Sequence, residues 1–102
     1  MLESAVARES PSGFVRVGEA TLACGKKEPG WLFASPTTRR YAAACTGNSP
    51  SRLVLTVPGG KVEIPSLSTG MVVWDAGQVT VDAVDMKGAA RITGGRLTST
   101  QK

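Results

Sequence analysis

A chain of 102 residues, 41% hydrophobic and 20% charged, has the length of one domain and the composition of an ordinary globular protein. At this size a folded chain buries about two-thirds of the surface its unfolded form exposes, so a real core is expected. The sequence contains no histidine, which excludes Ser-His-Asp and Cys-His catalysis, His-ligated zinc or haem and a histidine pH switch within this chain.

The net charge of +4 is unevenly placed. Residues 16 to 61 carry Arg16, Lys26, Lys27, Arg39, Arg40, Arg52 and Lys61 against Glu19 and Glu28, whereas cations and carboxylates balance from residue 62 onward. A basic half of this kind attracts anionic partners or simply keeps the protein soluble. Residues 1 to 11 have no basic segment followed by an apolar one, so no secretory signal is expected there. No run approaches the roughly 20 apolar residues of a membrane-spanning helix. The expected location is the cytoplasm or a particle assembled there, such as a virion, with a mature secreted fragment as the alternative. Cys24 and Cys45 are the only cysteines, and their spacing fits neither a redox pair nor a zinc knuckle. Buried free thiols are the expectation; a structural disulfide is the alternative and would require an oxidising compartment.

In chain order, residues 1–11 read as a flexible arm, 12–99 as one β domain and 100–102 as a tail. Val15–Val17 and Ala20–Cys24 flank Gly18-Glu19, a two-residue turn of type II′ with glycine first. A polar loop over residues 25–30 leads to a short apolar strand, Trp31–Ala34, broken by Pro36. Arg40–Cys45 is alanine-rich but too short for a stable helix between Pro36 and Gly47, and it is read as a strand. Arg52–Val57 is the clearest strand, Gly59-Gly60 reverses the chain, and Lys61–Ile64 alternates as a half-solvated strand does.

Met71–Trp74 is apolar at every position, which predicts a central strand covered on both sides. Asp75-Ala76-Gly77 turns into Gln78–Asp82, where the apolar phase then shifts, suggesting a β-bulge or strand break near Asp82-Ala83. Around Gly94-Gly95 a last hairpin over residues 90–99 would put Ile92 opposite Leu97 and Thr93 opposite Arg96. Turn signals every seven to twelve residues predict an all-β fold, a small antiparallel β-sandwich or barrel built from hairpins with short flexible terminal arms.

The chemistry-bearing residues are sparse. Asp75, Asp82 and Asp85 form the one carboxylate cluster in sequence, and solvated strand charges explain it better than a catalytic pair or a Ca²⁺ site. The glycine pairs sit at turns and lack the strand-loop-helix setting of a phosphate cradle. No enzyme activity, cofactor or metal is expected. The favoured reading is a non-enzymatic structural or protein-binding module that self-associates through Met71, Val73, Trp74, Ile92, Thr93 and Leu97. It resembles, in type and not by motif, the small proteins that decorate capsids or join tails in virions. The alternative is a single-stranded nucleic-acid-binding β-barrel using segment 26–41, where Lys26, Lys27, Arg39 and Arg40 lie beside Trp31 and Tyr41 in the basic-plus-aromatic pattern of such grooves.

Overall fold

The computed structural model describes residues 6–25, 29–84 and 88–101. It is all-β, with strands β1 (Val6–Ser10), β2 (Phe14–Val17), β3 (Ala20–Cys24), β4 (Gly30–Ser35), β5 (Arg40–Val57), β6 (Gly60–Asp75), β7 (Gln78–Val84), β8 (Arg91–Thr93) and β9 (Arg96–Gln101). The central feature is the long hairpin β5–β6, paired from Arg40↔Asp75 to Val57↔Gly60. The first half of β5 also pairs with β4, and its second half pairs with β3. The register shifts between Thr46 and Leu53 mark the change from one layer to the other. Two layers result: a larger one ordered β1-β4-β5-β6-β7-β9 and a smaller one ordered β2-β3-β5-β6-β8.

Alternation along each strand builds the core between them. Leu22, Leu53, Leu55, Val62 and Ile64 point inward from the smaller layer and Leu32, Ala43, Val72, Val79 and Val81 from the larger, all fully buried. Each of the Leu, Ile and Val side chains stabilises the fold by roughly 1.5–3 kcal/mol relative to exposure. Cys24 on β3 and Cys45 on β5 reach across this core and are bonded to each other, with their Cα atoms 5.8 Å apart. The expectation of free thiols is therefore corrected. The ladder partner of Cys45 is Gly30, whose missing side chain makes room for the bridge: a Cβ there would lie 3.1 Å from the Cys24 sulfur.

Several local expectations hold. Gly18 has φ +58, as the first position of a type II′ turn requires, and Arg40–Cys45 is strand. Others are corrected. Residues 6–10 of the expected arm pair with β4, Arg8 opposite Leu32, and β9 runs on to Gln101. The β5–β6 reversal is made by Pro58-Gly59, one residue earlier than expected, with Gly59 at φ +88 as a type II turn needs. The β6–β7 ladder is continuous from Asp75↔Gln78 to Thr69↔Val84, so no bulge falls at Asp82-Ala83. Met71–Trp74 is central but covered on one side only: Val72 and Trp74 are buried, while Met71 is 43% exposed.

The largest correction concerns residues 90–99, which do not form a hairpin. Ile92 pairs with Val62 and Thr93 with Lys61 in the smaller layer, whereas Arg96 and Leu97 pair, in parallel, with Gln78 and Val79 in the larger. Gly94-Gly95 carries the chain between layers. Gly94 sits at φ +76 against the Gly59 carbonyl, where a Cβ would fall 2.0 Å from the oxygen. Gly60 and Gly95 both lie against the edge of the Trp74 ring, with hypothetical Cβ atoms at 2.1 and 2.7 Å from it.

Two stability measurements check this account. Removing the bridge with paired Cys24→Ala and Cys45→Ala changes should cost about 3 kcal/mol in urea unfolding, the loop-closure value for such a spacing; a midpoint insensitive to reductant would contradict the bridge. Gly60→Ala should cost about 1–3 kcal/mol in the same assay through overpacking against Trp74, whereas Gly18→Ala, whose added Cβ meets nothing within 4 Å, should cost about 1–2 kcal/mol through its left-handed backbone alone.

Candidate functional site

The carboxylates do not assemble into a catalytic or metal centre. Asp75 pairs with Arg40, Nε to Oδ1 3.4 Å, across β5–β6. Asp82 is exposed opposite Met71, four ladder rows further along, and Asp85 lies outside the described residues. Among the described residues no group of three or more His, Cys, Asp or Glu could hold a metal ion. Among the same residues, no helix is long and apolar enough to cross a membrane.

The two layers present chemically different outer faces. On the smaller layer the outward row Phe14, Ala23, Val54, Glu63 and Arg91 runs beside the row Arg16, Thr21, Thr56, Lys61 and Thr93. Arg52 and Lys61 both pair with Glu63, leaving cations in excess on this face. On the larger layer the row Ala7, Phe33, Ala42, Val73 and Thr80 runs beside Glu9, Trp31, Ala44, Met71 and Asp82. Trp31 and Phe33 stack along β4, centroids 6.4 Å apart and 18° between planes. Three adjacent strands thus carry a continuous apolar patch, acidic at either margin through Glu9 and Asp82.

The residues expected as a subunit contact divide among four places. Met71 and Val73 belong to the apolar patch; Trp74 and Ile92 face the core side; Thr93 lies on the charged face, and Leu97, 41% exposed, is on the edge strand β9. The missed members of the patch are Phe33, Ala42 and Ala44. Trp31 belongs to it too, although it is expected in the nucleic-acid set. Alternation within Trp31–Ala34 marks its outward pair, but only the β4–β5–β6 register joins that pair to Met71 and Val73.

The expected nucleic-acid set is likewise dispersed. Trp31 lies in the apolar patch, Arg40 is engaged by Asp75, Arg39 sits at the turn before β5, and Tyr41 is only 5% exposed. Lys26 and Lys27 lie outside the described residues. The described cations that do share one surface are Arg16, Arg52, Lys61 and Arg91, on the other layer. Neither family models, curated proteins nor solved structures show a match to this chain.

One titration follows from the charged face. The Arg52 hydrogen bond to Glu63, reinforced by Lys61, holds the Glu63 carboxyl below its ordinary value of 4.5. A carboxylate with a depressed folded-state pKa stabilises above its unfolded pKa, and that contribution disappears as pH falls through the folded value. Glu63→Gln should therefore flatten the fall in unfolding midpoint as pH drops below 4.5. Parallel wild-type and variant curves would show that the carboxylate is not held by its neighbours.

Proposed function

We propose that this chain is a non-enzymatic protein-binding module that self-associates through the apolar outer face of its larger layer. The observation that carries the reading is the contiguous patch of Trp31, Phe33, Ala42, Ala44, Met71 and Val73 on one sheet face, opposite a face that is charged. Contiguous apolar surface with a polar margin is the usual mark of a contact surface. The occupant that best fits is a second copy. Ala42 and Ala44 leave a trough on β5 beside the Trp31–Phe33 ridge, each alanine level in the ladder with one aromatic. A copy turned about a two-fold axis along the strands, between β4 and β5, drops its ridge into the trough, and its trough receives the ridge in return. This is the self-complementarity an isologous contact requires.

The patch covers roughly 200 Å² from strand spacing and rise, about a quarter of what each partner of a stable complex usually buries. A contact of this size is weak alone and gains strength by repetition, since linked copies rebind at high effective concentration. Multiple display on a particle such as a capsid or tail suits it. The absence of histidine from the whole sequence and the separation of Asp75 from Asp82 support a role without catalysis. The Cys24–Cys45 bridge favours folding in an oxidising compartment over the cytoplasmic location expected from the sequence. Single-stranded nucleic acid on the Trp31–Phe33 stack is the competing reading, and Glu9, Asp82 and the Arg40–Asp75 pair oppose a phosphate backbone there.

Light scattering after size-exclusion chromatography over a concentration series tests the proposal. The wild type should gain mass toward a dimer, and Ala44→Arg should weaken that association by at least about tenfold, while Phe14→Lys on the opposite face leaves it unchanged. A wild type that stays monomeric through the millimolar range, or mass gained only with an oligonucleotide at low salt, would overturn it.

A further inference from the structure

Four chain reversals meet at one end of the sandwich: the Pro36–Thr38 turn, Pro58-Gly59, Ala76-Gly77 and Gly94-Gly95. Between them lies an open recess of about 410 Å³, whose lining includes Pro36, Arg39, Tyr41, Pro58, Trp74 and Gly94. A volume of this order is typical of small-molecule sites. A second recess of about 260 Å³ adjoins it, sharing Pro36, Tyr41 and Pro58.

The backbone around the larger recess is firmly set. The Ala76 N–H donates to the Arg39 carbonyl at 2.9 Å, the Arg96 N–H donates to the Gly77 carbonyl at 2.8 Å, and Gly94 rests on Gly59. Among the described residues, the non-glycine residues with positive φ are Arg39 at 55° and Ala76 at 49°, and both line this recess. The left-handed conformation is unfavourable for an L residue, and strain retained at the rim of a cavity is a recurrent feature of binding sites.

The polar chemistry of the recess has one sign. Trp74 is 4% exposed, and among the described residues its indole N–H has no acceptor. Among the described residues no buried side-chain nitrogen or oxygen lacks a partner, so that N–H meets solvent, and this recess is an opening that Trp74 lines. Arg39 is exposed and forms no ion pair among the described residues. No carboxylate lines the cavity among the described residues, and nearby Asp75 is held by Arg40. A hydrogen-bond donor on the floor and a guanidinium at the rim ask for an anionic acceptor, while the two proline rings and Tyr41 ask for an apolar body. Tyr41 already has an interaction of its own and is assigned only a packing role.

We propose that this recess binds a small organic carboxylate, the carboxylate accepting from the Trp74 indole N–H and the Arg39 guanidinium and the apolar part resting against Pro36 and Pro58. The site lies at the end of the sandwich, away from the apolar face, so it is independent of self-association. A carboxylate of this kind comes either as a free small acid or as the C-terminus of a peptide.

The test is a ¹H–¹⁵N titration of the full chain that follows the two indole N–H signals. N-acetylproline, its methyl amide, and a proline-ending peptide in free-acid and C-terminally amidated forms are each added through the millimolar range. The Trp74 signal should shift saturably with the free acids and not with the amides, while the Trp31 signal on the apolar face stays still. Saturation by N-acetylproline alone assigns the free acid; tighter binding of the free-acid peptide assigns the C-terminus. Arg39→Gln, an exposed change, should weaken binding by at least about tenfold, the loss of one charge-assisted hydrogen bond. A motionless Trp74 signal, equal shifts of both indoles, or undiminished affinity in Arg39→Gln would overturn the proposal.

Discussion

The fold depends on one hairpin serving two sheets. Because β5 and β6 pair on both sides of the change of layer, the inward residues of their first and second halves confront each other across the core. Tyr41, Ala43 and Cys45 come from one half of β5 and Leu53, Leu55 and Val57 from the other, all buried. The remaining strands add to edges that this hairpin has already created. The Cys24–Cys45 bridge then ties the smaller layer to the larger within the same core, at the point where Gly30 leaves space for sulfur.

Strict alternation on a shared hairpin also decides what the molecule shows to solvent. Side chains between the inward positions point outward on both layers, and the composition of those positions differs. Val54, Thr56, Lys61 and Glu63 face out from the smaller layer; Ala42, Ala44, Met71 and Val73 face out from the larger. The same two strands thus carry a charged exterior in one half and an apolar exterior in the other. An alanine pair on β5, flanked by aromatic residues on β4 and by Met71 and Val73 on β6, gives the larger face relief as well as apolarity.

What is legible in the sequence is what one or two neighbouring segments determine. Gly18-Glu19 has one way to close its strands, and Lys61–Ile64 alternates too cleanly to be anything but a half-solvated strand. Gly94-Gly95 is different, because a two-residue hairpin turn and a crossing between layers demand the same backbone freedom. Which one forms is decided by Gly59 and Trp74, more than fifteen residues away. Met71–Trp74 misleads for a related reason: an apolar outward face reads as a second buried face unless its neighbours across the sheet are known. The bridge is hidden in the same way, since its clearest mark is a glycine on β4 that becomes meaningful only once the register sets it beside Cys45.

The glycines at the end of the sandwich place Trp74 where two demands meet. Gly60 and Gly95 let the ring edge pass between backbones, which buries its carbon atoms in the core. Trp74 also lines the recess, so a core residue supplies part of its wall. Arg39 and Ala76, held left-handed on either side, fix the approach to that wall. A second copy seated on the outer face of the larger layer would cover Trp31 and Phe33, not the turns that frame the recess. The proposed self-association and ligand capture would therefore use different surfaces of one scaffold, and the hairpin that builds the core sets the distance between them.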